Sequence, residues 1–317
     1  MSKVKSEALS YLEKNKGDFF SGEKLAGELK VSRTAVNKAI KALIAEGYPI
    51  TAVTNKGYCL AESDILSIEG IVNYLPDGLK GVKINFYKET DSTNNEAKKA
   101  IYTEEKPSVF VADEQTAGRG RLGRDFYSPG GQSVYLSLLV KPECVNGLKI
   151  TAYAAVAVVD AIEELTSEKA SIKWVNDVFI GDKKVAGILC EGVTALENNE
   201  LEAAVIGVGM NCRVQCFPDE LYDVAGNILE NSKISRNELT AKVISNILYI
   251  LDNVDDKQIM ERYREKSMVL GKTVRYRLNG IWYEGSVINI DDNGALVVKK
   301  DNRTVTINSG EVTIRKI

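Results

Sequence analysis

The stretch with the clearest chemical potential is AGRGRLGR at residues 117–124, which places three arginines within six residues. Guanidinium groups this close repel one another, but their bidentate geometry suits phosphate and carboxylate groups bound between them. The glycines at 118, 120 and 123 also satisfy the G-x-G-x-x-G spacing of a dinucleotide-binding loop. Three interpretations follow: a dinucleotide loop, a loop that closes over other anionic groups, or a solvated surface loop.

The residues after the loop exclude a dinucleotide site. A dinucleotide loop joins a strand to a helix whose N-terminus binds the pyrophosphate, whereas this chain continues RDFYSPGGQSVYLSLLV from residue 124. The Pro-Gly-Gly at 129–131 prevents a helix, and a strand follows instead. A P-loop is excluded as well, because no Gly-Lys-Ser or Gly-Lys-Thr follows the glycines. The sequence therefore favours a loop that binds other anionic groups.

Composition narrows the chemistry further. The 317 residues include no histidine, which excludes Ser-His-Asp and Cys-His nucleophiles, imidazole acid–base catalysis and histidine zinc sites. The five cysteines, at 59, 144, 190, 212 and 216, are scattered, so we expect reduced thiols. A net charge of −3 with 44% hydrophobic residues indicates a soluble protein of two or three domains. Without a long apolar run or a signal-peptide pattern, we expect a cytoplasmic protein with no membrane partner.

Residues 1–64 are predicted to form a winged helix-turn-helix domain. Ser21 and Ser32 stand where N-caps would start the second and third helices, and GYPITAVTNKGYCLA then alternates around a turn as a β-wing would. The outer face of the third helix carries residues that suit a DNA major groove, namely Arg33, Thr34, Asn37, Lys38 and Lys41. The alternative is a solvated amphipathic helix in a small bundle.

Two further domains are predicted after this one, so the expected fold class is α+β. Residues 65–268 mix helices with strands of a mixed or antiparallel sheet, including VFVADEQ and VYLSLLV on either side of the arginine loop. The stretch 172–193 is predicted to form two short strands about Gly181-Asp182, and Ser235 with Glu238 is a capping box that opens a helix. The closely spaced turns of residues 269–317 predict a small SH3-like β-barrel.

The arginine loop and four other motifs, in the same order, resemble the biotin protein ligases. The motifs are DSTN at 91–94, EQTAGRGRLGR at 114–124, KWVNDV at 173–178, KKVAGIL at 183–189 and GVGMN at 207–211. With its helix-turn-helix start and β-rich end, the whole chain resembles the bifunctional members, which ligate biotin and repress biotin genes. Val175 and Phe126 stand where the family usually has proline and tryptophan. Lipoate ligases share the fold but differ at the arginine loop.

The resemblance implies a two-step ligation. Biotin's carboxylate attacks the α-phosphate of ATP with Mg²⁺ as cofactor, pyrophosphate leaves, and biotin passes from biotinyl-5'-AMP to a lysine of a biotin carboxyl carrier protein or domain. It also implies a homodimer that binds operator DNA with the adenylate as corepressor. Two alternatives stay open: a non-catalytic biotin-sensing DNA-binding regulator, and a lipoate-type acyl-protein ligase.

The resemblance also implies roles for individual residues. Arg121, Lys184 and Asp177 would be catalytic, with Asp177 either placing Mg²⁺ or orienting and deprotonating the acceptor lysine. Biotin would be bound by Ser92, Thr93, Asn94, Gln115, Gly118, Arg119, Arg121, Lys184 and Gly187. ATP and the adenylate would be bound by Arg119, Arg121, Arg124, Phe126, Asn176, Lys184 and Asn211. From the residues alone, the DST at 91–93 could equally be a helix N-cap, and Lys184 could be an exposed lysine of a turn. The Asn-Asp at 176–177 could likewise be an ordinary turn pair.

Overall fold

The computed structural model describes residues 2–141, 147–194, 201–278, 280–301, 303–308, 310 and 312–314. The chain divides into two compact units, one of residues 1–80 with 235–241 and the other of residues 81–234 with 242–317. No helix within the described residues is both long enough and apolar enough to span a bilayer.

The first unit has the predicted three helices followed by a hairpin. Its elements are α1 (Lys3–Lys14), α2 (Gly22–Leu29), α3 (Arg33–Ala45), β1 (Ile50–Val53), β2 (Gly57–Leu60) and, further along, α4 (Ile68–Tyr74). The two predicted N-caps are confirmed, because the hydroxyl of Ser21 accepts from the Lys24 amide and that of Ser32 from the Ala35 amide, both at 3.1 Å. The apolar faces of the helices pack into one core that includes Leu9, Leu12, Leu25, Val36, Ile40 and Leu43.

The wing is held by a close backbone approach at Gly57. The hairpin turn has positive φ at Asn55 (64°) and at Gly57 (100°). The neighbouring Tyr58 exchanges two backbone hydrogen bonds of 2.9 Å with Phe20. A Cβ on Gly57 would lie only 2.0 Å from the Phe20 carbonyl oxygen. Glycine is therefore required here both by its conformation and by the lack of space.

The second unit is built on a mixed sheet, which confirms the α+β fold class. Within the described residues the strand order is β3-β4-β5-β9-β8-β7-β6, and only β3 and β4 run parallel. These strands are β3 (Lys83–Thr90), β4 (Ser108–Gln115), β5 (Ser133–Val140), β6 (Ala170–Lys173), β7 (Asp177–Ile180), β8 (Lys183–Thr194) and β9 (Leu201–Asn211). The helices are α5 (Thr93–Lys99), α6 (Gly147–Leu165), α7 (Asp219–Tyr222), α9 (Asp256–Glu265) and the part of α8 (Arg236–Asn253) from residue 242 onward. All of β5 is buried, because it is a central strand of the sheet.

The predicted turn at Gly181-Asp182 is confirmed, because β7 and β8 pair across it, but the predicted number of strands in this stretch is wrong. Residues 172–193 contribute to three strands rather than two, and the third, β8, is twelve residues long. The additional turn lies at 174–176, where Lys173 pairs with Asp177 and the Trp174–Val175 peptide bond is cis. This turn contains neither glycine nor proline, so the Asn176-Asp177 pair is the one turn signal that the sequence carries there. The length of β8 follows from its pairing with β7 on one side and β9 on the other.

Helix α8 begins as the sequence predicts. The Ser235 hydroxyl accepts from the Glu238 amide at 3.1 Å, and the Glu238 carboxylate accepts in return from the Ser235 amide. This reciprocal pair is the predicted capping box. The four cysteines in the described part of the chain, Cys59, Cys190, Cys212 and Cys216, are free thiols as expected. Cys144 lies outside the described residues.

The C-terminal region forms an antiparallel five-stranded sheet in the order β13-β12-β11-β10-β14. The strands are β10 (Thr273–Leu278), β11 (Ile281–Ile290), β12 (Leu296–Lys300), β13 (Arg303–Ile307) and β14 (Val312–Ile314). This confirms the predicted small β domain, although among the described residues no ladder joins β13 to β14 to close the barrel. The Trp174 indole donates a 2.9 Å hydrogen bond to the Gly294 carbonyl and so joins this sheet to the central one.

Candidate active site

A cleft of about 1110 Å³ in the second unit brings the predicted site residues together. Its volume is slightly above the range of about 300–1,000 Å³ that is typical of small-molecule sites. It is lined by Ser92, Thr93, Asn94, Gln115, Arg119, Arg121, Arg124, Phe126, Asn176, Asp177, Lys184, Gly187 and Asn211. Gly118 does not line the cleft but lies behind it, where a Cβ would be 2.4 Å from the Ser128 hydroxyl and 2.6 Å from the Phe126 carbonyl.

One end of the cleft is neutral and rich in hydrogen-bonding groups. Ser92 and Thr93 precede and begin α5, and both are 4% exposed. Ser92 occupies the N-cap position, but its side chain makes no capping hydrogen bond. The Gln115 amide oxygen accepts from the Thr93 amide at 2.8 Å, while the Gln115 amide nitrogen donates to Ser128 at 3.3 Å. These groups can bind an uncharged ligand that both donates and accepts hydrogen bonds.

Asn94 is held more firmly than its predicted role in direct binding requires. Its amide nitrogen donates to the Glu191 carboxylate at 2.7 Å and to the Leu189 carbonyl at 3.2 Å. Its amide oxygen accepts from the Ser137 hydroxyl at 2.6 Å. Both ends of the amide therefore already have protein partners, and Asn94 joins α5 to β5 and β8.

The arginine loop is a tight turn and not the start of a long helix. Gly120 donates a 2.7 Å backbone hydrogen bond to the Arg124 carbonyl, and Arg119 pairs with Asp125 in an isolated bridge. Leu122 at the tip has a positive φ of 58°. The Arg121 guanidinium turns inward and donates to the Asn176 amide oxygen at 3.4 Å. The prediction that this is no dinucleotide loop is confirmed, because strand β5 follows the turn.

A second cationic group approaches from the β7–β8 hairpin. The Lys184 ammonium lies 2.6 Å from the Asp177 carboxylate, and both side chains are partly buried. The backbone of Lys184 also pairs with that of Ala225, which holds the β8 backbone at this position. Burial lowers the pKa of the neighbouring Lys173 amine, Asp177 opposes this shift, and Lys184 and Arg124 reinforce it. Three cationic groups, Lys173, Lys184 and Arg124, thus lie near the Asp177 carboxylate in this part of the cleft.

The aromatic ring of Phe126 lies on the floor of the cleft. A Cβ on Gly209 would be 2.5 Å from the ring, and one on Gly187 would be 3.1 Å from it. Tyr135 packs edge-on against Phe126 with ring centroids 6.4 Å apart. The glycines of GVGMN therefore provide space for side chains: Gly209 for Phe126, and Gly207 for Asn94, whose amide oxygen would be 2.2 Å from a Cβ there.

Several lining residues were not singled out in the sequence. Phe217, Leu221 and Val224 form an apolar wall, and Phe217 packs against Tyr127 with ring centroids 6.5 Å apart. The C-terminal sheet region also reaches the cleft, through Lys272, Gly310, Val312, Thr313 and Ile314. No motif marks these residues, because they come from short irregular or β segments that reach the site only through tertiary packing.

The first unit presents the predicted DNA-binding face. The predicted contact residues of α3 are all exposed, namely Arg33, Thr34, Asn37, Lys38 and Lys41. On the opposite face Val36, Ile40 and Leu43 are at most 1% exposed. The Asn37 amide donates a 3.0 Å hydrogen bond to the Tyr58 hydroxyl, which joins α3 to the wing.

Family models match all three regions of the chain. The biotin/lipoate A/B protein ligase family matches residues 86–211, an HTH domain matches residues 5–59, and the biotin protein ligase C terminal domain matches residues 269–315. Among solved structures, the biotin protein ligase from Aquifex aeolicus in complex with biotin and ATP has a TM-score of 0.63 and 29% sequence identity. The similarity covers 74% of this chain and 99% of that one.

Curated relatives extend the similarity to the full length. The bifunctional ligase/repressor BirA of Bacillus subtilis (strain 168) is 32% identical over 332 residues, which cover 99% of each chain. The bifunctional ligase/repressor BirA of Escherichia coli (strain K12) is 28% identical over 309 residues, 94% of each chain. On this identity, coverage and order of domains, the chain belongs to the bifunctional ligase/repressor family of biotin protein ligases.

Proposed function

We propose that the protein is an AMP-forming biotin protein ligase that uses ATP, and that it also represses transcription in response to biotin. The observation that carries the ligase proposal is the convergence of Arg121 and Lys184, from separate elements, beside Asp177 in a cleft whose other end is neutral and polar. A neutral cyclic urea suits the polar end, and a carboxylate meeting a triphosphate suits the cationic end.

The first step brings two anions together. The biotin carboxylate attacks the α-phosphorus of ATP, a bond forms between them, and pyrophosphate leaves with the bonding electrons. Arg121 and Lys184 would neutralise the approaching oxygens, while Arg119 and Arg124 would close over the phosphates from the exposed part of the loop. In the second step the acceptor lysine attacks the acyl carbon, and AMP leaves.

The remaining predicted contacts divide between the two substrates. Ser92, Thr93 and Gln115 would hydrogen-bond the ureido ring of biotin, with Gly118 and Gly187 giving the space that the ligand and loop require. Asn211 and Phe126 would recognise adenine, by amide hydrogen bonds and by ring stacking respectively. Asn94 would contribute by positioning α5, and Asn176 by holding Arg121.

Asp177 fits a role with Mg²⁺ as well as a role with the acceptor lysine. Mg²⁺ is held by one or two carboxylates together with phosphate oxygens rather than by an all-protein cage. The described residues contain no group of three or more acidic or thiol side chains that could form such a cage. Asp177 would supply the protein oxygens, and Mg²⁺ would supply further charge neutralisation. A lysine amine has an ordinary pKa of about 10.4, so its deprotonation by Asp177 is the competing role.

The decisive experiment is biotin-dependent exchange of labelled pyrophosphate into ATP by the full-length protein. Lipoate and octanoate are run in parallel, and transfer to a biotin carboxyl carrier domain is measured next. We expect exchange with biotin only. Exchange with the other acids alone would favour a lipoate-type ligase, and no exchange with any acid would favour a non-catalytic biotin sensor.

The repressor proposal rests on the exposed polar face of α3 and on its link to the wing through Asn37 and Tyr58. A two-fold homodimer would place two such helices on a palindromic operator, with the adenylate favouring the dimer. ATP and operator DNA are both found in the cytoplasm, and we propose that the protein acts there.

We expect Lys38 and Lys41 to provide phosphate contacts rather than base recognition. A DNA site is first selected with the wild-type protein. Replacing both lysines with glutamine should weaken binding to that site at least tenfold, and the affinity should depend less steeply on salt concentration, because fewer counterions are released. Binding is measured with biotin and ATP present at several salt concentrations. Lys3→Gln, an exposed lysine on α1, is the matched control. Unchanged affinity in the double variant would contradict a DNA-binding role for this face.

A further inference from the structure

Ser137 is a fully buried hydroxyl next to the neutral end of the cleft. It lies in the middle of β5, is 0% exposed and does not line the cleft itself. Its oxygen is 2.6 Å from the Asn94 amide oxygen and 2.7 Å from the Thr93 hydroxyl oxygen. A serine hydroxyl has a single proton, so it can donate to only one of these two neighbours.

The surroundings of Asn94 decide which neighbour receives that proton. The Asn94 amide nitrogen faces the Glu191 carboxylate and the Leu189 carbonyl, and both of these groups only accept hydrogen bonds. The amide oxygen therefore faces Ser137. An amide oxygen cannot donate, so Ser137 must give its proton to Asn94.

The direction of the next hydrogen bond follows. With the Ser137 proton committed to Asn94, the 2.7 Å contact between Ser137 and Thr93 requires Thr93 to donate. The Thr93 proton then points into the sheet, and the lone pairs of its oxygen remain for the cleft. The Gln115 amide oxygen, 3.2 Å away, accepts from the Thr93 amide and is likewise an acceptor. The shorter 2.7 Å contact with Ser137 takes the Thr93 proton in preference to this 3.2 Å contact, so both oxygens act as acceptors in the cleft.

We propose that Ser137 is a positioning residue that sets the Thr93 hydroxyl as an acceptor for an N–H group of biotin's ureido ring. This inference rests on the proposed ligase function and makes it more specific. A ureido ring has two N–H donors, so it can satisfy the acceptor pair formed by Thr93 and Gln115. The dithiolane ring of lipoate has no N–H and leaves both acceptors unpaired, which is a cost in a buried site. The direction of these hydrogen bonds therefore also selects against lipoate.

The test is a double-mutant cycle on biotin affinity, measured by calorimetry with full-length protein. We expect Ser137→Ala to raise the Kd for biotin about tenfold, because the Thr93 proton becomes free to turn toward Gln115. Thr93→Val removes the hydroxyl, so adding Ser137→Ala to it should change Kd less than twofold. Equal losses in both backgrounds would mean that Ser137 acts through packing alone and would overturn the inference.

Further measurements separate this role from a structural one. Desthiobiotin keeps the ureido ring, so its affinity should fall by the same factor as that of biotin. The maximal pyrophosphate exchange rate at saturating biotin should stay within twofold. Ser108→Ala is the matched control, because Ser108 is also a 0% exposed serine of the sheet and its hydroxyl has no hydrogen-bond partner in the described part of the chain. Its biotin affinity should not change.

The outcomes distinguish this inference from the ligase proposal. Wild-type protein that neither binds biotin nor exchanges pyrophosphate would defeat the proposed function. If the wild-type protein binds biotin but the effects of the Ser137 and Thr93 substitutions are additive, only the inferred direction of the hydrogen bonds is defeated. If Ser137→Ala does not fold, Ser137→Cys replaces it in the cycle, because a thiol is close in size and a poor donor. It should then reproduce the tenfold loss.

Discussion

Lys184→Met should reduce biotin-dependent pyrophosphate exchange by at least about 100-fold, a loss of about 2.7 kcal/mol in the transition state. Lys184 is the cation that β8 brings into the cleft, with its ammonium 2.6 Å from Asp177. Methionine keeps the length of the side chain and removes its charge. The loss should therefore appear in the exchange rate at saturating substrates, with biotin affinity reduced much less, because the charge is needed most where the two anions react.

The preceding lysine provides a matched control. Lys183 lies on the same hairpin, but its ammonium donates to the Tyr222 carbonyl at 3.0 Å and does not line the cleft. Lys183→Met should leave exchange within about twofold of wild type. Circular dichroism checks that both variants are folded. Wild-type exchange in Lys184→Met, or an equal loss in both variants, would remove Lys184 from the catalytic group.

Gly57→Ala should unfold the first unit while the ligase activity persists. A Cβ at this position would lie 2.0 Å from the Phe20 carbonyl oxygen and 2.5 Å from its carbon, and the backbone φ of 100° is unfavourable for alanine. Relieving the overlap requires α2 and the wing to separate. We expect a destabilisation of more than about 3 kcal/mol and loss of DNA binding.

Gly47→Ala separates the two causes of this effect. Gly47 has a similar φ of 93°, but a Cβ there would meet nothing within 4 Å. It should lose only the conformational part, about 1–2 kcal/mol. Hydrogen exchange of α3 reports the stability of the first unit, and pyrophosphate exchange reports the cleft. A Gly57→Ala variant whose α3 amides stay protected would refute the steric argument. Loss of pyrophosphate exchange in this variant would contradict the expectation that ligase activity persists without a folded first unit.

Some features were correctly predicted because they depend on neighbours in the chain. The N-caps Ser21 and Ser32 and the capping box of Ser235 and Glu238 involve groups within three residues of each other. The buried stripe of α3 follows from helical periodicity alone. The identity of β4 and β5 follows in the same way from short apolar runs of β-forming residues.

Other features depended on partners far away in the sequence. The turn at 174–176 was missed because tertiary contacts, such as the 2.9 Å hydrogen bond from the Tyr263 hydroxyl to the Val175 carbonyl, support a turn without glycine or proline. The glycines at 207 and 209 do not reveal in the sequence which groups need the space beside them. In the structure that space is taken by the side chains of Asn94 and Phe126.

The sequence by itself determined the order of the domains, the family and the absence of histidine chemistry, and it pointed to the polar and charged residues of five motifs, because motifs and local periodicity are properties of short segments. Only the tertiary structure decided how those residues are used. It committed the Asn94 amide to Glu191 and Ser137, placed Lys184 against Asp177, seated Phe126 over Gly187 and Gly209, and brought the C-terminal sheet to the cleft. The physical reason is that hydrogen-bond direction and close contact depend on atoms from several strands at once, and no single segment contains that information.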